Sequence, residues 1–359
     1  MGFCFFVMTG IAALGWLFTR QLLDILSTPP EAYQLAFDYL RMIFVSMPLV
    51  MISVILTMGL RGAGDSRTPL IFMGVTVALD TIFNPLLISG VGPFPRLGIT
   101  GSALSTAVAA AISFVMMVAY AYWKDLPLRL RGAELSYLKP ARDELGFIVS
   151  KGFPMGAQMM IMSAAGIIIV GLVNREGMMT TAAFGASMQV FTYIQMPAMA
   201  ISGAISAMAA QFIGARKWNR LDDLTHAGVM TNFVMTGSLT VLILLLDRPV
   251  LELFLGPDSP AVPLARHIQF LVIWNFVFFG MTMVFSGTMR AGGVVWVPLF
   301  VLAVTLYPVR LGFYYFAYPH IAADAIWMSF PVASFSSLGI TAWIYYRTAW
   351  REKAQAESV

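Results

Sequence analysis

The sequence predicts an all-α fold, a polytopic bundle of transmembrane helices, and three observations carry that expectation. Hydrophobic residues make up 59% of the 359-residue chain against 11% charged, and the mean hydropathy is +0.79, a balance unlike that of soluble domains. Apolar stretches of about twenty residues recur from end to end, each long enough to cross a hydrocarbon core of roughly 30 Å. Runs such as Val241 to Leu246 and Phe270 to Phe279 are apolar almost throughout, where a transmembrane β-strand would alternate apolar and polar residues.

Ten spans are predicted in order, at 3–26, 36–59, 69–90, 99–122, 146–172, 184–212, 228–247, 264–287, 296–317 and 325–346. The first has the length of a secretory signal, but it lacks a basic leading segment and a cleavage pattern, so it is expected to be retained. Thr28-Pro29-Pro30 separates it from the second, and Gly90-Val91-Gly92-Pro93 ends the third. Gly152-Phe153-Pro154 opens the fifth, Gly256-Pro257-Asp258 follows the seventh, and Pro319 stops the ninth.

Alternate loops then divide the 22 Lys and Arg unequally. Fifteen fall on one side and six on the other, namely Arg20, Arg41, Arg96, Arg175, Arg248 and Arg266, while Arg310 lies inside a span. By the positive-inside rule the richer side is cytoplasmic, which predicts a multi-pass protein of the plasma (inner) membrane with both termini cytoplasmic. The net charge of +4 is therefore a matter of topology, and no nucleic acid partner is expected.

Cys4 is the only cysteine, so no intrachain disulfide can form. His226, His267 and His320 show no metal-ligand spacing, and no Walker-type loop is present. Neither a metal, a nucleotide nor any other cofactor is expected.

An internal repeat organises the chain. Arg20-Gln-Leu-Leu-Asp-Ile-Leu is echoed by Arg248-Pro-Val-Leu-Glu-Leu-Phe. Leu60-Arg61-Gly62-Ala63-Gly64 and Pro69-Leu70 are echoed by Met289-Arg290-Ala291-Gly292-Gly293 and Pro298-Leu299. The separation is nearly the same from Arg20 to Arg248, from Arg61 to Arg290 and from Pro69 to Pro298, where chance matches would drift. The first four spans thus pair with the last four, and the fifth and sixth have no partners. Two six-helix halves related by an axis along the membrane normal are the expected design, with two helices of the first half missing. The expected domains are an incomplete N-terminal half at 1–123, a basic cytoplasmic linker at 124–151, a C-terminal half at 152–347 and a cytoplasmic tail at 348–359.

Several segments resemble signatures of the MATE (multidrug and toxic compound extrusion) family. They are Leu60-Arg61-Gly62-Ala63-Gly64-Asp65-Ser-Arg-Thr-Pro69, Gly152-Phe-Pro154, and Ala210-Gln211-Phe-Ile-Gly214-Ala215, joined by Asn84-Pro85-Leu-Leu-Ile-Ser-Gly90 and Leu97-Gly98-Ile-Thr-Gly101-Ser-Ala103. The resemblance covers essentially the whole chain and implies a MATE-like fold that lacks the first two of twelve helices. It also implies a transporter and not an enzyme, one that exports small amphipathic or cationic drug-like solutes in exchange for H⁺ or Na⁺.

Asp80 is the one acidic residue in the middle of a predicted span, and a lone carboxylate there is costly unless paired or functional. Asn84, one turn later, shares its helix face, so the two can point together at a cation path or simply fix the helix by hydrogen bonding. The DinF-like branch of the family resembles this site with the order of Asn and Asp reversed. Members similar to the NorM branch carry a glutamate in the helix that Gly152 opens, and that position here is Met162, which favours the DinF-like branch. Gln158, Gln189, Tyr193 and Gln195 either line a substrate cavity or make interhelical hydrogen bonds. Arg310, beside Tyr307 and Pro308, either faces substrate or packs at a kink. Gly62-Ala-Gly64-Asp65 also matches the GxGD pattern of intramembrane aspartyl proteases, but Asp65 stands between Arg61 and Arg67 at a helix end, where pairing with cations is expected.

Secondary active efflux is thus the expected function. A lipid-linked saccharide flippase is the alternative transport activity, although such cavities favour many Arg and Lys and only Arg310 is expected inside. A non-transporting membrane protein is the third possibility. Membrane lipid is an expected partner, and no obligate protein partner is evident.

Overall fold

The computed structural model describes residues 2–25, 30–90, 94–126, 132, 142–257, 259–347 and 350. Half of the expected linker and nearly all of the expected tail lie outside them, as do Thr28, Pro29, Val91 to Pro93 and Asp258. Among the described residues every regular element is helical. In order these are α1 (Gly2–Leu17), α2 (Thr19–Ile25), α3 (Pro30–Gly62), α4 (Arg67–Ser89), α5 (Ile99–Trp123), α6 (Arg142–Arg175), α7 (Met178–Gly214), α8 (Asn219–Leu245), α9 (Asp247–Leu255), α10 (Ala261–Val272), α11 (Trp274–Ala291), α12 (Trp296–Val304), α13 (Arg310–Ile321) and α14 (Asp324–Arg347).

Nine helical stretches among the described residues are long and apolar enough to cross a membrane. The first expected span, 3–26, is instead a 16-residue apolar helix and a short one, α1 and α2. Their junction at Phe18 is bridged by hydrogen bonds from Phe18 N to Leu14 O and from Leu22 N to Phe18 O. Two other boundaries differ from expectation. Gly152 and Pro154 do not open a helix but lie inside α6, and α13 runs past Pro319 to Ile321. A proline removes only one backbone hydrogen bond, which a long helix in a protein interior or a membrane tolerates.

The chain divides into two compact units, Met1–Gly146 and Phe147–Val359. The repeat is visible in their backbones. After α3, Gly64 N bonds Arg61 O (3.0 Å) and Asp65 N bonds Leu60 O (2.9 Å); after α11, Gly293 N bonds Arg290 O (2.9 Å) and Val294 N bonds Met289 O (3.0 Å). Gly64 and Gly293 take φ of 93° and 79°, a left-handed conformation that glycine adopts without strain. Arg61 and Arg290 sit in the last turn of their helices, where a cation meets the negative end of the helix dipole.

In the second unit α11 is central, packed on α7, α8 and α14. Small residues permit the approach: a Cβ on Gly228 would lie 2.6 Å from Ile205 and one on Gly287 would lie 3.0 Å from Ser202 Oγ. Polar ties run through the same seam. Asn232 Nδ2 donates to Ala198 O (3.1 Å), Thr225 and Thr288 share a hydrogen bond (3.0 Å), and Tyr345 Oη donates to Asp222 Oδ1 (3.0 Å). One apolar cluster gathers Phe184, Phe191, Phe276 and Trp327, and a second gathers Leu221, Phe285, Met289 and Tyr345. The first unit has a smaller core of Leu56, Leu60, Phe72 and Met117.

Candidate functional site

The pairing of α4 with α5 builds the site around Asp80. Gly90 closes α4 at φ 70°, and Leu97 N then bonds back to Leu87 O at 3.0 Å. Gly101 allows α5 to cross against that carbonyl, since a Cβ there would lie 2.5 Å from Leu87 O. The glycines of the two sequence motifs therefore fix how α5 lies on α4.

That approach sets Ser102, Ser105 and Thr106 of α5 against Asp80 and Asn84 of α4. Ser105 Oγ donates to Asp80 Oδ1 at 2.6 Å, Thr106 Oγ1 to the same oxygen at 3.2 Å, and Asn84 Nδ2 to Ser102 Oγ at 3.3 Å. Asp80 and Asn84 are half-buried, and no cation among the described residues pairs with Asp80. Asp80 Oδ2 and the Asn84 side-chain oxygen accept no hydrogen bond among the described residues. A carboxylate, an amide oxygen and three hydroxyls form a set of hard oxygen ligands suited to a proton or a small hard cation. The sequence singled out the acid and the amide and missed the hydroxyls. Their signal was the spacing of Ser102, Ser105 and Thr106, at i, i+3 and i+4, which puts them on one helix face.

The remaining candidates belong to the second unit. Gln158 is buried and donates to Val295 O at 3.2 Å, while Lys151 Nζ on the same helix donates to Gly293 O at 3.0 Å. Gln158 thus ties α6 to the turn after α11, the interhelical alternative for this residue. Gln189 and Tyr193 lie exposed, one turn apart on α7, and Gln195 is half-buried off their face.

Arg310 is buried, its guanidinium carbon 3.6 Å from the Phe330 ring centroid and its Nε 3.5 Å from Ser329 Oγ. Its Nη2 has no hydrogen-bond partner among the described residues. The expected kink is a π-helical turn at Thr305–Val309, in which Arg310 N–H reaches back to Thr305 O. Tyr307 Oη donates to Ile161 O at 3.2 Å and anchors that turn to α6.

The motif residues act on the backbone. Asp65 forms no ion pair among the described residues; its Oδ1 accepts from Arg67 N and Thr68 N, both at 3.0 Å, and so caps α4, whose first turn contains Pro69. Hydrogen bonds from Thr68, side chain first and then backbone, outweigh desolvation and hold the Asp65 carboxyl below its usual value. Arg61 Nη2 lies 3.3 Å from Met73 Sδ. Gln211 O accepts from Ala215 N at 2.9 Å where α7 ends at Gly214.

The MatE family model matches residues 1–86 and 154–316. The probable multidrug resistance protein YoeA of Bacillus subtilis (strain 168) is 31% identical over 353 residues, which cover 98% of this chain and 76% of that protein. The probable multidrug resistance protein YpnP of the same strain is 29% identical over 320 residues, 89% of this chain and 68% of its own length. The crystal structure of the Vibrio cholerae MATE transporter VcmN in the bent form superposes with a TM-score of 0.82 at 16% identity, covering 99% of this chain and 77% of the other, a likeness of fold. With the family model matched across both units and a relative 31% identical along nearly the whole chain, this polytopic helical protein belongs to the MATE family.

Proposed function

We propose that this protein exports small amphipathic or cationic drug-like solutes in exchange for H⁺ or Na⁺, with Asp80 as the group that holds the coupling ion. The observation that carries the proposal is the Asp80 carboxylate in mid-span, with Oδ1 held by Ser105 and Thr106 and Asn84 alongside. Multidrug resistance in the names of its relatives supports the cargo class.

The test is efflux of an ethidium-type dye from cells lacking their own pumps. Extrusion is expected to depend on an ion gradient and to be lost in Asp80→Asn, while gradient-driven extrusion unchanged by Asp80→Asn would remove Asp80 from the mechanism. Proteoliposomes given a pH gradient or a Na⁺ gradient alone identify the ion. We place the protein in the plasma membrane with both termini cytoplasmic, on the distribution of Lys and Arg between loops. A phosphatase reporter fused after Val359 is then expected to stay inactive, and an active one would invert the topology.

A further inference from the structure

A wide recess of about 530 Å³ opens at one end of the first unit. Its lining includes Trp16 of α1, Asp38, Arg41, Met42 and Val45 of α3, and Arg96 and Leu97 where the chain enters α5.

Charges of both signs face it. The Arg41 guanidinium carbon sits 4.0 Å from the Trp16 ring centroid and 4.4 Å from that of Phe37, and Arg20 approaches the same Phe37 ring at 5.6 Å. Stacking on two rings pre-orients a planar guanidinium and leaves its in-plane donors free for a partner. Arg41 Nε is buried and has no hydrogen-bond partner among the described residues. None of Arg20, Arg41 and Arg96 forms an ion pair among the described residues. Asp38, three positions before Arg41 on the same helix face, accepts among the described residues only from Gln34 Nε2, at 3.1 Å.

Three arginines converging at one span end, on the side poorer in Lys and Arg, are not explained by topology. Nor does an anion alone fit, because the same lining carries the Asp38 carboxylate. A group bearing a phosphate and a primary ammonium at the two ends of a short chain meets both. The apolar wall supplies its source: Val45 is 67% exposed next to Met42 and Leu97, and Trp16 stands in the last turn of α1, a position that suits a tryptophan at a membrane interface.

We propose that this recess binds the headgroup of phosphatidylethanolamine, the phosphate on Arg41 and Arg96 and the ammonium on Asp38, with the acyl chains running over Val45. Arg41 is locked by its rings and Arg96 is on a connecting segment, so the first supplies a fixed anchor and the second an adaptable one. The ammonium N–H groups distinguish this lipid from phosphatidylcholine, which carries the same phosphate without those donors.

The experiment is native mass spectrometry of the full chain released from detergent with phosphatidylethanolamine, phosphatidylcholine or phosphatidylglycerol at equal concentration. Retention of phosphatidylethanolamine is expected to exceed that of phosphatidylcholine about tenfold, the factor expected of one charge-assisted hydrogen-bond set. Asp38→Asn should erase that preference and leave phosphatidylglycerol bound as well or better. Arg96→Gln, at a position on a connecting segment that does not threaten folding, should lower retention of all three, and Arg41→Gln more so. Equal retention of phosphatidylethanolamine and phosphatidylcholine by the unaltered protein overturns the proposal, as does an Asp38→Asn variant that keeps the preference. Displacement of the lipid by soluble glycerophosphoethanolamine at equal concentration would overturn the lipid source and assign the recess to a free phosphoethanolamine compound.

Discussion

Asp80 Oδ1 takes two hydroxyl hydrogen bonds while Oδ2 takes none among the described residues, so the carboxylate is positioned by one oxygen and open at the other. Removing the 2.6 Å bond with Ser105→Ala is expected to shift the coupling-ion concentration for half-maximal transport about tenfold, with maximal rate retained, because a donor to the carboxylate is lost without loss of the charge. Transport assays over a range of ion concentrations read this directly. Arg310 presents the opposite case, a buried guanidinium held by a ring and a 3.5 Å contact, with nothing at Nη2 among the described residues. Exchanging a poorly satisfied buried charge for an apolar chain of similar length is often neutral or stabilising, so Arg310→Met should hold or raise the thermal midpoint in detergent. A retained midpoint with lost efflux would show that Arg310 serves transport.

Asp65 adds a pH prediction at the same scale. Its carboxyl is held below the unfolded value, so the cap it forms contributes stability above roughly pH 4 and loses it as pH falls through the lower, folded value. Acid titration of the midpoint should therefore be less steep in Asp65→Asn, which caps without titrating.

At the scale of elements, glycines decide which helices can touch, and only some of them matter. Gly101 has the Leu87 carbonyl where its Cβ would stand, and backbone cannot move aside as a side chain can. Gly101→Val is expected to destabilise by about 2 kcal/mol and to disturb the Asp80 site with it. Gly74, on the same helix pair, has nothing within 4 Å, so Gly74→Ala should be neutral or stabilising by up to about 1 kcal/mol. Equal effects on midpoint and efflux from the two would refute the close-approach argument. The sequence flagged Gly98 and Gly101 as a motif, but which of the pair meets backbone depends on the crossing of α4 and α5. The π-helical turn before Arg310 was legible only as a Pro-linked kink, because a π turn depends on which carbonyl the Arg310 N–H reaches.

For the whole molecule, the spans differ widely in how much of each is buried. In the apolar windows of α3 and α4 only 11% of residues are buried, against 56% in Ala261–Ala291. The repeat sharpens the contrast: Val54 and Met58 are 43% and 59% exposed, whereas Ser202 of α7 covers Met283 and Gly287, the positions that echo them in the second unit. Hydrogen exchange in detergent should therefore be faster in α3 and α4 than in α11 and α14, since local opening costs least where few contacts are broken. Equal protection of these four helices would contradict this.

The sequence by itself determined that the chain is helical and membrane-spanning, that its first four spans are echoed by its last four at a nearly constant separation, and that Asp80 with Asn84 is the acidic site in mid-span. Hydropathy, period and spacing are local quantities, and local quantities survive without a fold. Tertiary structure alone decided that Ser105 and Thr106 hold Asp80, that Gln158 ties a turn together, that Asp65 caps a helix, and that Arg41 stacks on Trp16 and Phe37 near a carboxylate. Most of these join residues by the angle and separation at which two helices cross, and that geometry is set by side-chain packing between segments distant in sequence.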